Sequence, residues 1–176
     1  SNNLGALQLF GGTFTIDRAR ITGSSSYAMY MQSGTNATLT NVVFANNGSG
    51  GIWNNGNDSG LLTLINSTIA NNNGIGIRSE AGTGGSPTEV FNSILYGNSG
   101  AALGGNLVSF TVEYSNIEGG FAGTGNIDAD PLFVAPLANN LLDPTGDYNV
   151  QDLSPVIDAA DNGLVPTGIT TDLNGD

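Results

Sequence analysis

Apolar residues recur along this chain in three columns. Ile16, Leu39, Leu64, Val90 and Val112 stand 23, 25, 26 and 22 residues apart. Five positions after each comes a second apolar residue: Ile21, Phe44, Ile69, Leu95 and Ile117. Thirteen after the first lies a third, Met29, Ile52, Ile77 and Leu103, with Leu7 in the same place of a preceding turn. Around each column apolar and small polar residues alternate, the period of a half-buried strand. Tyr27, Gly50, Ile75 and Ala101 lie two residues before the third column, and strict alternation expects them on its face. A repeat of this length is the mark of a solenoid, in which each coil supplies short strands to a narrow shared interior. Parallel strands joined by crossovers are right-handed. The pattern therefore predicts an all-β fold, a right-handed parallel β-helix of about five coils of 22–26 residues over positions 1–120. An antiparallel sandwich is the alternative.

The polar positions between the columns predict the corners. Asn41, Asn66 and Asn92 stand between the first and second columns, with Arg18 and Tyr114 in the equivalent places. Asparagine tolerates the left-handed backbone of a tight bend, and stacked amides can bond from coil to coil. These three are expected to point inward as an asparagine ladder. The second bend is also rich in Asn and Gly: Gly23, Asn46, Asn71, Gly97 and Gly119, each followed by Ser24, Asn47, Asn72, Asn98 or Gly120. The third bend varies in length, being longest at 54–61 and 79–88. Variable loops on a constant scaffold are the usual place for function.

The repeat stops near residue 121. Prolines 131, 136, 144, 155 and 166 forbid long internal strands beyond it. A solenoid end needs covering, so 121–176 is expected to fold over the last coil as an irregular cap, with Leu132, Phe133, Val156 and Ile157 as its apolar residues. The coils and the cap form one structural unit.

Composition narrows the function classes. Only 10% of the 176 residues are charged, yet the net charge is −12, from fifteen acids against Arg18, Arg20 and Arg78. No basic patch could neutralise several phosphates, which argues against nucleic acid. There is no cysteine and no histidine, which removes thiolate zinc and a Cys nucleophile. No apolar run is long enough to span a membrane. The chain begins without Met or a signal peptide, so it reads as a piece of a longer protein.

Several segments resemble a known family. "NSTIANNNGIGI", "NSILYGNSG", "YSNIEGG", "GTGNIDADPLF", "LSPVIDAAD" and "TDLNGD" are similar to bacterial extracellular right-handed β-helix proteins of the choice-of-anchor Q type. Phe44-Ala-Asn-Asn47 followed by Gly50-Gly51-Ile52 resembles the FxxN and GGxI elements of polymorphic outer-membrane protein repeats. The resemblance implies a secreted or surface-anchored rod, with this chain near the C-terminal end of its β-helix and an anchor further on.

Pectin-lyase-like relatives of the fold cut acidic polysaccharides. Their lyases need a base beside a group that neutralises the uronate, and the hydrolases need clustered carboxylates. This chain has no Lys and no His. In the coils only Glu89 and Glu113 are candidates for a pair across adjacent rungs. No catalytic residue is assigned. The expected function is a non-enzymatic structural or adhesive segment, and the alternative is part of a polysaccharide lyase or hydrolase using Arg18, Arg20 and upstream coils.

Two candidate sites remain. Tyr30 and Trp53 occupy equivalent outward positions one coil apart, with Tyr96 on the Ala45 and Ala70 side; exposed aromatics so spaced can stack on sugars, which makes a polysaccharide or cell-surface glycan the candidate partner. The competing and favoured reading is that the rings shield the neighbouring loops "SGTNA" and "NNGNDSGL". Asn126, Asp128 and Asp130, and Asp172, Asn174 and Asp176, have the alternating oxygens of a calcium loop. No cofactor is otherwise expected, and any Ca²⁺ here would be structural; the competing and favoured reading is that these acids cap turns. The open first coil presents unpaired strand edges, which predicts end-to-end stacking on a further coil or on a second copy.

Overall fold

The computed structural model describes residues 4–32, 34–56, 60–80, 86–138 and 142–175. Five coils stack on one another. The first runs through β1 (Gly5–Leu9), β2 (Gly12–Asp17) and β3 (Arg20–Thr22). The second has β4 (Tyr27–Gln32), β5 (Thr35–Thr40) and β6 (Val43–Ala45), and the third β7 (Gly50–Asn55), β8 (Leu62–Ile65) and β9 (Thr68–Ala70). The fourth has β10 (Ile75–Ser79), β11 (Thr88–Phe91) and β12 (Ile94–Tyr96), and the fifth β13 (Leu103–Gly105), β14 (Phe110–Glu113) and β15 (Asn116–Ile117). Like strands pair in parallel to form three five-stranded sheets: A (β1-β4-β7-β10-β13), B (β2-β5-β8-β11-β14) and C (β3-β6-β9-β12-β15). At about 4.8 Å per rung the stack is roughly 24 Å long. The architecture is the parallel β-helix that the columns predict.

All three predicted columns are in register. Ile16 faces Leu39, which faces Leu64, then Val90 and Val112. Ile21, Phe44, Ile69, Leu95 and Ile117 align on sheet C, and Leu7, Met29, Ile52, Ile77 and Leu103 on sheet A. From the second coil to the fifth, these residues are buried and form the main core. The expectation for Tyr27, Gly50, Ile75 and Ala101 does not hold. The ring of Tyr27 lies against Trp53, a residue of the opposite face of sheet A, and the next residues, Ala28, Gly51, Gly76 and Ala102, are buried in every one of these coils. They are small because there is no room: a Cβ on Gly51 would stand 2.4 Å from Ile69 Cγ2 and 2.5 Å from the Gly76 carbonyl.

Corner geometry follows from the left-handed residues. Between sheets B and C the corner is always two residues, and its first residue has positive φ in every coil: Arg18 (54°), Asn41 (54°), Asn66 (49°), Asn92 (50°) and Tyr114 (50°). Between sheets C and A the corner again opens with a left-handed residue, Gly23, Asn46, Asn71 or Gly97, and after β15 the left-handed residue is Gly119, two past the strand. The corner between sheets A and B ranges from 10–11 in the first coil to 80–87 in the fourth. Parts of its long forms, 57–59 and 81–85, lie outside the described residues.

The amide ladder exists, but one corner away from the expected place. Asn72 Oδ1 accepts from both the backbone N–H and the Nδ2 of Asn47, each at 2.9 Å, and its own Nδ2 donates to Asn98 Oδ1 at 2.9 Å and to the Phe44 carbonyl at 3.0 Å. Asn47 Oδ1 takes the Ser24 N–H in turn. At the B–C corner the inward residue is the one after the asparagine. Ser67, Ser93 and Ser115 accept the N–H of Val42, Ser67 and Ser93 at 3.0–3.1 Å. Asn41, Asn66 and Asn92 supply the left-handed bend but turn their amides outward. The side chain of Asn41 bonds Asp17 and the Thr171 carbonyl, and that of Asn92 bonds the backbone of Asp161. Asn66 lines the cleft between coil and tail.

The tail is where the fold departs furthest from the reading. Residues 121–130 begin a sixth rung: Ile127 bridges Asn116 in parallel, and Tyr114 N–H donates to the Thr124 carbonyl at 2.7 Å. The chain then leaves the end of the rod and runs back along the outer face of sheet C as a strap. Its short antiparallel pair, β16 (Phe133–Ala135) and β17 (Asp147–Val150), places Phe133 and Tyr148 against Ala45 and Ala70. Phe133 is thus a covering residue, but of the side rather than the last coil. Val156 lines a cleft beside Ile94 and Ile127, and Ile157 is 45% exposed. Sheet C needs this cover because Val43, Ile94 and Tyr96 would otherwise form an exposed apolar face.

Candidate functional site

The outer faces of the three sheets differ in chemistry. Sheet C is occupied by the strap. Sheet B carries Thr15, Thr38, Thr63, Glu89 and Thr111 in register, beside Asp17, Thr40, Ile65, Phe91 and Glu113. Glu89 therefore stands opposite Thr111, and Glu113 opposite Phe91, so the two acids are offset by two positions rather than paired. Glu89 also accepts a hydrogen bond from the Thr63 hydroxyl at 2.9 Å.

Sheet A carries a strip of aromatic rings that ends on a cation. Gln8, Tyr30, Trp53 and Arg78 occupy one column on successive coils. The ring centroids of Tyr30 and Trp53 are 5.2 Å apart in an edge-on arrangement, and Phe10 adds its ring 6.2 Å from Tyr30. Tyr27 packs on Trp53 from the side at 5.5 Å, and the Arg78 guanidinium sits 5.4 Å from the centre of the indole. Edge-on rings and a cation over an indole are both favourable contacts of their kind. Burial would lower the Arg78 guanidinium, but the Tyr27 hydroxyl and the paired Glu80 carboxylate outweigh it and hold it above its ordinary value.

The strip corrects the predicted site in two ways. Tyr30 is only 4% exposed, because Phe10 and Trp53 close over it; it offers a hydroxyl, which accepts from Asn55 Nδ2 at 2.9 Å, and not a free ring face. The exposed members are instead Phe10, at 57%, and the Arg78 side chain, at 41%. Neither was predicted, although Phe10 lies just past the first strand and Arg78 one residue after the third column. Tyr96 is not part of the strip. It belongs to sheet C, lines a cleft with Asn71, Asp130, Phe133 and Gln151, and its phenol is raised by burial and by Asp130, Glu118 and Asp128. One donor in the strip is unusual: the indole N–H of Trp53 is buried and meets no acceptor.

The residues proposed for calcium are used in turns. Asn126 Oδ1 accepts the Ser115 N–H at 3.0 Å and so extends the serine column by one rung. Asp128 accepts from Gly119 N–H, Asp130 from Leu132 N–H, and Asp172 from the N–H groups of Asn174 and Gly175. Asn174 Nδ2 donates to Asn149. Asp176 lies outside the described residues. Among the described residues no group of three or more His, Cys, Asp or Glu is placed to hold a metal ion.

Arg18 and Arg20, the cations of the alternative enzymatic reading, both face the strap. Arg18 pairs with Asp17 at 2.8 Å and reaches the Thr171 hydroxyl. Arg20 donates to the Gly146 carbonyl and lies over the Tyr148 ring. Beside them a polar cleft of about 140 Å³ opens between Asn41, Asn66, Asp147 and Asp172.

Comparison with known proteins fits this geometry. A model of the family described as right handed beta helix region matches residues 2–128, the five coils and the start of the sixth rung. No curated protein and no solved structure matches the chain. The chain belongs to the right-handed β-helix family.

Proposed function

We propose that this chain is a non-enzymatic segment of an extracellular or cell-surface β-helix, of the choice-of-anchor Q kind, whose sheet A strip contacts glycan. The observation that carries the reading is the in-register run of Tyr30, Trp53 and Arg78, with the ring of Phe10 packed against Tyr30 at its end. An apolar ring flanked by planar donors is the surface that recognises a sugar, whose carbon face stacks while its hydroxyls bond. Glu80 neutralises Arg78, and the chain as a whole is strongly acidic, so a neutral glycan suits the strip better than a uronate polymer.

The test is affinity electrophoresis through gels containing neutral or acidic polysaccharides, with and without calcium, stained afterwards for polymer loss. Retardation in a neutral glycan, without clearing and weakened by Phe10→Ser or Arg78→Gln, is the expected result. Clearing of the polymer would replace this reading with the enzymatic one. Equal mobility in every gel would leave a rod without glycan contact. Calcium-dependent retardation would return the acidic turns to consideration.

A further inference from the structure

We infer that the strap is a clamp that makes the five coils unfold as one unit. In a bare solenoid each coil touches only its neighbours, so stability is a sum of local terms and the ends can fray independently. The strap breaks that rule because its residues hold coils that do not touch each other. Leaving the fifth coil, it bonds the third through Asn71 and the Leu137 carbonyl, and the second through Asn46 and the Ala138 carbonyl. At the first coil Arg20 holds the Gly146 carbonyl. It then climbs to the fourth, where Asn92 and Asp161 exchange two hydrogen bonds at 2.9 Å. Finally it descends again to Arg18 and Asn41 at Thr171.

The grip has a specific chemistry. Most of the coil residues that hold the strap are left-handed corner asparagines, and most of what they hold is strap backbone. The left-handed bend favours Asn or Gly, and where it is Asn the amide can serve the strap. Apolar cover from Phe133 and Tyr148 on Ala45 and Ala70 adds to it.

This placement allows a perturbation aimed at the strap. Glycine adopts positive φ readily, so Asn46→Gly, Asn71→Gly and Asn92→Gly keep each corner while deleting its hold on the strap. Among the described residues, the one side-chain bond between coils lost with them is the long contact from Asn46 Nδ2 to the Asn71 carbonyl, 3.5 Å. Hydrogen exchange read by mass spectrometry on the full chain follows each coil separately. The wild type is expected to exchange its strands of all five coils in one concerted step. The triple variant is expected to release the strands of the first and fifth coils at least tenfold faster than those of the third. Asn66→Gly, at a corner whose amide does not hold the strap, should leave the concerted pattern intact. Tyr148→Phe, which removes only a hydroxyl bonded to Asn46, should shift the second coil and the first together. If acceleration stays confined to peptides beside the substituted corners, or if the wild type already frays from its ends, the strap is a passive cover and the inference fails.

Discussion

Asn72→Ala is the substitution that most directly separates the observed ladder from the expected one. The Asn72 side chain is fully buried and makes four hydrogen bonds, two received from Asn47 and two given to Asn98 and Phe44. Removing it leaves the buried Asn47 backbone N–H without its acceptor. A net hydrogen bond contributes about 1 kcal/mol, and an orphaned buried donor costs about 1–3 kcal/mol. Three lost bonds and one orphaned donor sum to a loss of about 4–6 kcal/mol, from a total that for a domain is about 5–15 kcal/mol. For a chain of this size that corresponds to a fall in melting temperature on the order of 10 °C. Asn66→Gly is the control, since the expected ladder would have made Asn66 equally important. Its amide faces the cleft and its φ of 49° suits glycine, so the change should stay within about 0.5 kcal/mol. Urea titrations followed by circular dichroism would report both values. Equal losses, or a larger loss at Asn66, would refute the assignment of the ladder to Asn47, Asn72 and Asn98.

Other expectations follow from the same geometry. Gly74→Ala would set a Cβ 2.0 Å from the Ser49 carbonyl, and an interior clash of this kind should cost about 1–3 kcal/mol in the same titration. Leu64→Ala, at a fully buried column position, should cost about 2–5 kcal/mol through the cavity it leaves. Alkaline pH should weaken the strap. Burial raises Tyr148 and Tyr96 above the ordinary 10.0, so their contribution is complete below about pH 10 and is lost as pH rises beyond it, where the unfolded chain gives up phenol protons first. Melting temperatures from pH 8 to 11 should fall most steeply above 10, and less steeply for Tyr148→Phe; a flat profile would contradict the burial of these rings.

The coil was legible because its cause is local and repeated. An apolar residue every 22–26 positions, in three columns, favours a coil over a sandwich, and Val90 and Ile69 stand where their columns put them. Asparagine was harder. The corner needs left-handed backbone at both Asn41 and Asn46, and Asn meets that need whichever way its amide points. The distinguishing signal was the residue that follows: Ser67, Ser93 and Ser115 after one corner, Asn47, Asn72 and Asn98 after the other, whose side chains accept from the backbone of the neighbouring coil. Tyr30 misled because alternation gives the face of a sheet and not what lies over it. The strap left no periodic trace, since the coil holds it by backbone carbonyls that any sequence possesses.

The unequal corners also decide where this molecule can change. Two of them have fixed spacing, two residues at one and, at the other, eight positions from Ile21, Phe44, Ile69 and Leu95 to Met29, Ile52, Ile77 and Leu103, because a single added residue would slide the serine or the asparagine column out of line with the rung below. The third corner is bound by no such column and already differs in length from coil to coil. Insertions and grafted peptides should therefore be accepted at that edge and rejected at the other two. A designer could hang a foreign loop there, beside the aromatic strip, without touching what holds the rungs together.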